Sequence, residues 1–226
     1  MEEDLFQRAR VQRYAGLVEF QLFREQATQQ VALGFLARNR RFNFLRKLYG
    51  FHRGTEHPDL VEFRFGSLII NQKAVSGNIA VEEGPTLNYA VGPQGHIITT
   101  LYPAKSELGK PYEDAIFIRA GQYTAHMLSK KFEGDLNALV AYFHVTCIYG
   151  VPTSSERLRV WWLRRFHPMI LDKKYTPPKI FKYQAPALRF TLTTAFLLFL
   201  KPLAVLILIS ILIYFGLSNL ATLVRP

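Results

Sequence analysis

The chain has 226 residues, 49% of them apolar, and a formal net charge of +11 at pH 7. That length allows one domain with an appendage or two small domains, with enough apolar residues for a core. The single cysteine, Cys147, excludes an internal disulfide or a cysteine-rich zinc site. Charge is unevenly spread. Residues 1–50 carry nine Lys/Arg against five Asp/Glu, residues 51–156 eight against eleven, and residues 157–226 eleven against one. The basic excess therefore belongs chiefly to the C-terminal third. The first ten residues are acidic and then basic, with no apolar run of signal-peptide length, so a body in a reducing, cytosol-facing compartment is expected.

Residues 2–49 read as helical: Leu5, Phe6, Ala9 and Val18 recur at helical spacing and no proline interrupts. From Arg38 to Gly54 basic and aromatic residues interleave, a pattern that can meet phosphates or anionic lipids and that equally suits an amphipathic helix ending at Gly50. No recognised nucleic-acid module accompanies it, so nucleic acid is not an expected partner. Strand signals then take over at 60–70, 78–83, 86–91, 96–103 and 114–120. Gly92-Pro93-Gln94-Gly95 is a hairpin turn between two of them. Four to five short strands with tight turns predict an antiparallel sheet. Asp135 is the expected cap of a helix whose stripe is Leu136, Leu139, Val140, Phe143 and Cys147. The predicted class is α+β: N-terminal helices, the sheet, a packing helix, and finally a C-terminal transmembrane helix.

The expected divisions are a body over 1–151, a basic, aromatic and proline-rich neck over 152–189, and an anchor over 190–226. Thr153 and Glu156 have capping-box spacing for a short helix stopped by His167-Pro168. Trp161 and Trp162 beside Arg164 and Arg165 suit a headgroup layer, or else the tryptophans pack into the body. Lys173, Lys174, Lys179, Lys182 and Lys201 continue the basic series. These nine residues are the candidate membrane-interface set, facing an anionic leaflet. Pro177-Pro178 and Pro186 stiffen the neck. Residues 187–200 are apolar apart from Arg189, and fit an interfacial helix, an extension of the last helix, or a second membrane segment. Residues 203–224 carry no charge, and as a helix they would span about 33 Å. Basic residues precede this run and only Arg225 follows it, which predicts a single pass with the N-terminal body on the cytosolic side.

Catalytic signals are weak, and no catalytic residue is assigned. His144 and Cys147 share a helix face without an orienting third group. His96 and His126 are ligand candidates, with Glu113 and Asp114 as possible neighbours. Tyr89 and Tyr102 are further ligand candidates, with Tyr112 and Tyr123 as possible companions. His52, Glu56, His57 and Asp59 flank one loop, but no spacing announces a metal site, and no metal or cofactor is expected. Phosphate-loop and Gly-X-Ser-X-Gly motifs are absent. The expected function is a non-enzymatic, membrane-anchored cytosolic module that binds a protein partner, a second copy of itself or a ligand. Two alternatives stand beside it. One is a membrane-acting effector of toxin or phage-defence type, whose tail oligomerises and perturbs the bilayer. The other is an anchored enzyme acting on a membrane-proximal substrate.

Overall fold

The computed structural model describes residues 2–54, 57–73, 77 and 79–178. The N-terminal helical stretch is three helices: α1 (Glu2–Gln26), α2 (Gln29–Leu36) and α3 (Arg40–Tyr49). The breaks fall at side chains that cap orphan backbone donors. Thr28 Oγ1 accepts from the Val31 N–H at 3.2 Å, and Asn39 Oδ1 accepts from Arg41 and Phe42 at 3.0 and 3.2 Å. Gly50, at φ +73°, closes α3 and donates its N–H to the Arg46 carbonyl.

Ten strands follow in two antiparallel sheets. β1 (Phe51–Gly54), β2 (Leu60–Phe65), β5 (Thr86–Val91), β6 (Ile97–Tyr102), β8 (Ala115–Gly121), β9 (Met169–Leu171) and β10 (Lys174–Thr176) build a seven-stranded sheet in the order β1-β2-β5-β6-β8-β9-β10. β3 (Ser67–Lys73), β4 (Ile79–Glu83) and β7 (Lys105–Ser106) form a three-stranded one, in the order β3-β4-β7. The α+β class holds, but four to five strands was too few. The strand signal over 60–70 is cut at Gly66, and its halves enter different sheets. The strands that went unread, β1, β7, β9 and β10, have two to four residues each, too short to display a period of two.

One face of the large sheet carries the core. Val61, Phe63 and Phe65 alternate inward along β2, joined by Leu87 and Tyr89, Ile97 and Leu101, and Ile116. They meet Phe20 and Phe23 of α1 and the long helix α4 (Ala125–Thr146). Phe132 of α4 sits 5.0 Å from the Phe63 ring and 5.9 Å from Phe23, at the middle of this layer. The expected stripe of Leu136, Leu139, Val140, Phe143 and Cys147 is buried. The expected cap is not one: α4 begins eleven residues earlier, where Thr124 Oγ1 accepts from the Met127 N–H. Asp135 lies mid-helix, facing inward, because an arginine on β8 waits for it.

The α5 helix (Ser154–Phe166) packs on α4, and β9 pairs with β8. The compact unit that holds every described residue runs to Pro178. Residues 154–176, within the stretch read by sequence as a neck, pack in this unit. Among the described residues no helix is long and apolar enough to cross a membrane. The anchor expected over 190–226, the stretch 187–200, and Lys179, Lys182 and Lys201 lie outside the described residues.

Candidate membrane-interface surface

The α5 helix has two faces with different work. Its start is a complete capping box: Thr153 Oγ1 accepts from the Glu156 N–H at 3.3 Å, and Glu156 Oε2 accepts from the Thr153 N–H at 2.7 Å. The inner face buries Val160 and Leu163. On the same side Arg164 reaches Glu113, whose side chain is fully buried, with Nε–O distances of 2.9 and 3.0 Å and a third contact from Nη2 at 2.9 Å. Tyr142 donates its hydroxyl to the same carboxylate at 2.6 Å, and the Tyr112 ring lies 5.2 Å from the Arg164 guanidinium. Arg164 is thus not a free headgroup cation, as the sequence pattern suggested. Its charge neutralises a carboxylate in the protein interior, where an unpaired charge would be far more costly than at the surface.

The outer face carries Leu158, Trp161, Trp162 and Phe166. The two indoles are 54% and 52% exposed, and Trp162 stacks on Phe166 with ring centroids 3.8 Å apart. The indoles are thus not packed into the body. At 100° per residue, Arg165 falls within this same outward arc, half-buried among the apolar side chains, and Arg157 borders it. An outward face this apolar, with arginines among it, is not what an ordinary surface helix presents to water.

After His167-Pro168 the chain enters the β9–β10 hairpin. Asp172 and Lys173 take φ of +48° and +61°, the two left-handed positions of a type I′ turn. Asp172 pairs with Lys110, and Asp114 Oδ2 accepts from the Lys173 N–H at 2.7 Å. The Lys173 and Lys174 side chains remain exposed, as does Tyr175. Of the nine candidate interface residues, Trp161, Trp162, Lys173 and Lys174 are thus open to solvent and Arg165 partly so.

The other candidate residues are scattered. Tyr89 is not at a ligand surface. It is fully buried and donates to Asp135 Oδ2 at 2.7 Å, while Arg119 Nη1 and Nη2 grip the same carboxylate at 2.5 and 2.6 Å. Burial, then the charge of Asp135, holds the Tyr89 phenol well above its usual range, so it stays a donor. Tyr102 is half-buried at the end of β6, its phenol raised by burial and by Glu62. His126 is exposed on the first turn of α4, and His96 lies in a cleft against α1. Nothing brings these four together. Among the described residues no cluster of three His, Cys, Asp or Glu could hold a metal ion.

His144 and Cys147 do sit close in sequence and in the same buried region. Burial, and then Glu82, push the Cys147 thiol far up, away from the thiolate form. Glu82 itself accepts from the Tyr49 hydroxyl at 2.5 Å and the Ile148 N–H at 2.8 Å. His144 is 5% exposed, with neither ring nitrogen hydrogen-bonded among the described residues and Glu156 Oε1 3.8 Å away.

Three tyrosine–carboxylate pairs, Tyr49–Glu82, Tyr89–Asp135 and Tyr142–Glu113, went unread in the sequence. Each joins residues at least 29 apart, so no local spacing announces it.

No family model matches the chain, and neither the curated proteins nor the solved structures contain a match. Function is argued from this geometry alone.

Proposed function

We propose that this chain is a non-enzymatic membrane-anchored module, whose α+β body is held against an anionic bilayer surface by α5 and by the basic and apolar residues that follow it. The observation that carries this reading is the outward aromatic face of α5, with Arg157 and Arg165 beside it, only 37 residues before the uncharged run that begins at Leu203. Indole rings and arginine heads favour the headgroup layer, where an apolar body and a polar tip both find partners. Arg165, Lys173 and Lys174 each contribute about 1 kcal/mol near an anionic leaflet, and together raise affinity on the order of 100-fold.

The test is flotation of the full chain with phosphatidylcholine vesicles, with and without phosphatidylserine, followed by alkaline carbonate extraction. The expected product resists carbonate. Replacing Trp161 and Trp162 with serine and Lys173 and Lys174 with glutamine should leave the anchor intact. Hydrogen exchange across α5 should then lose its vesicle-dependent protection. A chain that carbonate releases and that stays soluble without detergent overturns the anchored reading. Unchanged α5 protection in the quadruple variant overturns the role given to this face.

A further inference from the structure

The α1 helix and the β5–β6 turn meet at two glycines. A Cβ on Gly16 would lie 2.1 Å from the Gly95 carbonyl oxygen, and one on Gly95 would lie 2.7 Å from the Gln12 carbonyl oxygen. Gly95 also needs its φ of +75°, a conformation that side-chain-bearing residues rarely adopt. Backbone therefore touches backbone, and the crossing fixes where the neighbouring side chains emerge. One turn of α1 towards its N-terminus, a cleft of about 450 Å³ opens between helix and hairpin, lined by Ala9, Arg10, Gln12, Arg13, Pro93, Gln94 and His96.

Among the described residues the lining holds two guanidinium groups, an imidazole and two carboxamides, and no carboxylate. Arg10 and Arg13 make no ion pair among the described residues. Arg41, Arg119 and Arg164, by contrast, are each held by a carboxylate of the body. Glu19 of α1 lines an adjoining cavity and accepts the Ala125 N–H at 2.7 Å, which engages it at the start of α4. The volume is that of a small-ligand site. Two planar forks three residues apart on one helix, backed by amide and imidazole donors, match the oxygens of a phosphate.

We infer that this cleft is a binding site for a compact phosphate-bearing anion, held by Arg10 and Arg13, with Gln12, Gln94 and His96 as supporting hydrogen-bonding groups. None of these residues belongs to α5 or to the C-terminal run, so the site does not depend on the membrane reading. The phosphate can be free or can head a lipid. Selectivity for phosphate over monovalent anions follows from the number of oxygens that two forks engage at once.

The experiment is titration calorimetry of the full chain in detergent with inorganic pyrophosphate, with sodium chloride as the control anion. A parallel arm measures binding to phosphatidylcholine vesicles with and without phosphatidic acid. The variants are Arg10→Gln/Arg13→Gln, and Gln94→Glu, which places a repelling carboxylate at an exposed turn position. Saturable pyrophosphate binding that falls at least tenfold in both variants, at unchanged melting temperature, supports a free ligand. A phosphatidic-acid preference lost in both variants, without pyrophosphate binding, supports a lipid headgroup. Absence of both, or affinities that the two variants leave unchanged, overturns the site.

Discussion

The Arg119–Asp135–Tyr89 network can be broken one partner at a time. Replacing Arg119 with methionine keeps most of its packing volume and removes the charge. Asp135, 5% exposed in its side chain, is then left with the Tyr89 hydroxyl alone. Burial works against the Arg119 charge, but its hydrogen bonds to Asp135 and the charge of that carboxylate more than reverse this, raising the guanidinium above its usual range. Removing one member of such a buried pair costs about 3–5 kcal/mol, because the survivor stays desolvated. For a body of this size each kcal/mol shifts the melting temperature by about 2–4 °C, so Arg119→Met should lower it by roughly 6–20 °C. The double variant Arg119→Met/Asp135→Leu should recover most of that loss, since both charges go together. Calorimetry or circular dichroism of the two variants reads the difference. A double variant no more stable than Arg119→Met refutes the electrostatic account and makes the loss one of packing.

The remaining expectations are narrower. The His144 imidazole is held below its ordinary value of 6.5 chiefly by burial, with Arg41 adding and Glu156 opposing, and His167 is lowered chiefly by burial too. A depressed histidine takes up its proton more readily when unfolded, so stability is full above about pH 6.5 and is lost as pH falls below it. Denaturant midpoints measured from pH 7.5 to 5 should fall, and less so in His144→Gln. Cys147 should resist iodoacetamide in the folded chain and react at the unfolding midpoint; rapid labelling without denaturant contradicts its burial. Gly16→Ala drives a methyl group into the Gly95 carbonyl and should cost about 1–3 kcal/mol. The same variant should displace α1 from the hairpin and weaken pyrophosphate binding, whereas Gly34→Ala, with open space around it, should do neither.

What the sequence made legible was local. The capping box at Thr153 and Glu156, the stop at His167-Pro168, the GPQG turn and the stripe from Leu136 to Cys147 each declare themselves within a few residues, and each is present. Asp135 misled because an acidic residue ahead of an apolar run looks like a cap. Arg119 on β8, 16 residues back, and Tyr89 on β5 explain its place. The tryptophans of α5 could not be placed, since outward and inward apolar faces have the same period, and Val160 and Leu163 proved to be the inward pair. Arg10 and Arg13 attracted no notice because their partner surface, the β5–β6 turn, comes 80 residues later and meets α1 where Gly16 and Gly95 touch.

The buried pairs bear also on how tightly α4 is held. It supplies Asp135 to one and Tyr142 to another, and the backbone just past its C-terminus donates to the carboxylate of the third. A purely greasy interface would let the helix slip by a residue at modest expense, one leucine replacing its neighbour. Here a slip of one position swings both groups through 100°, takes the Tyr142 hydroxyl from Glu113 and strands Arg119 without its carboxylate. The helix is keyed in rotation as well as in depth, so sliding along its own axis is not an available motion for this body.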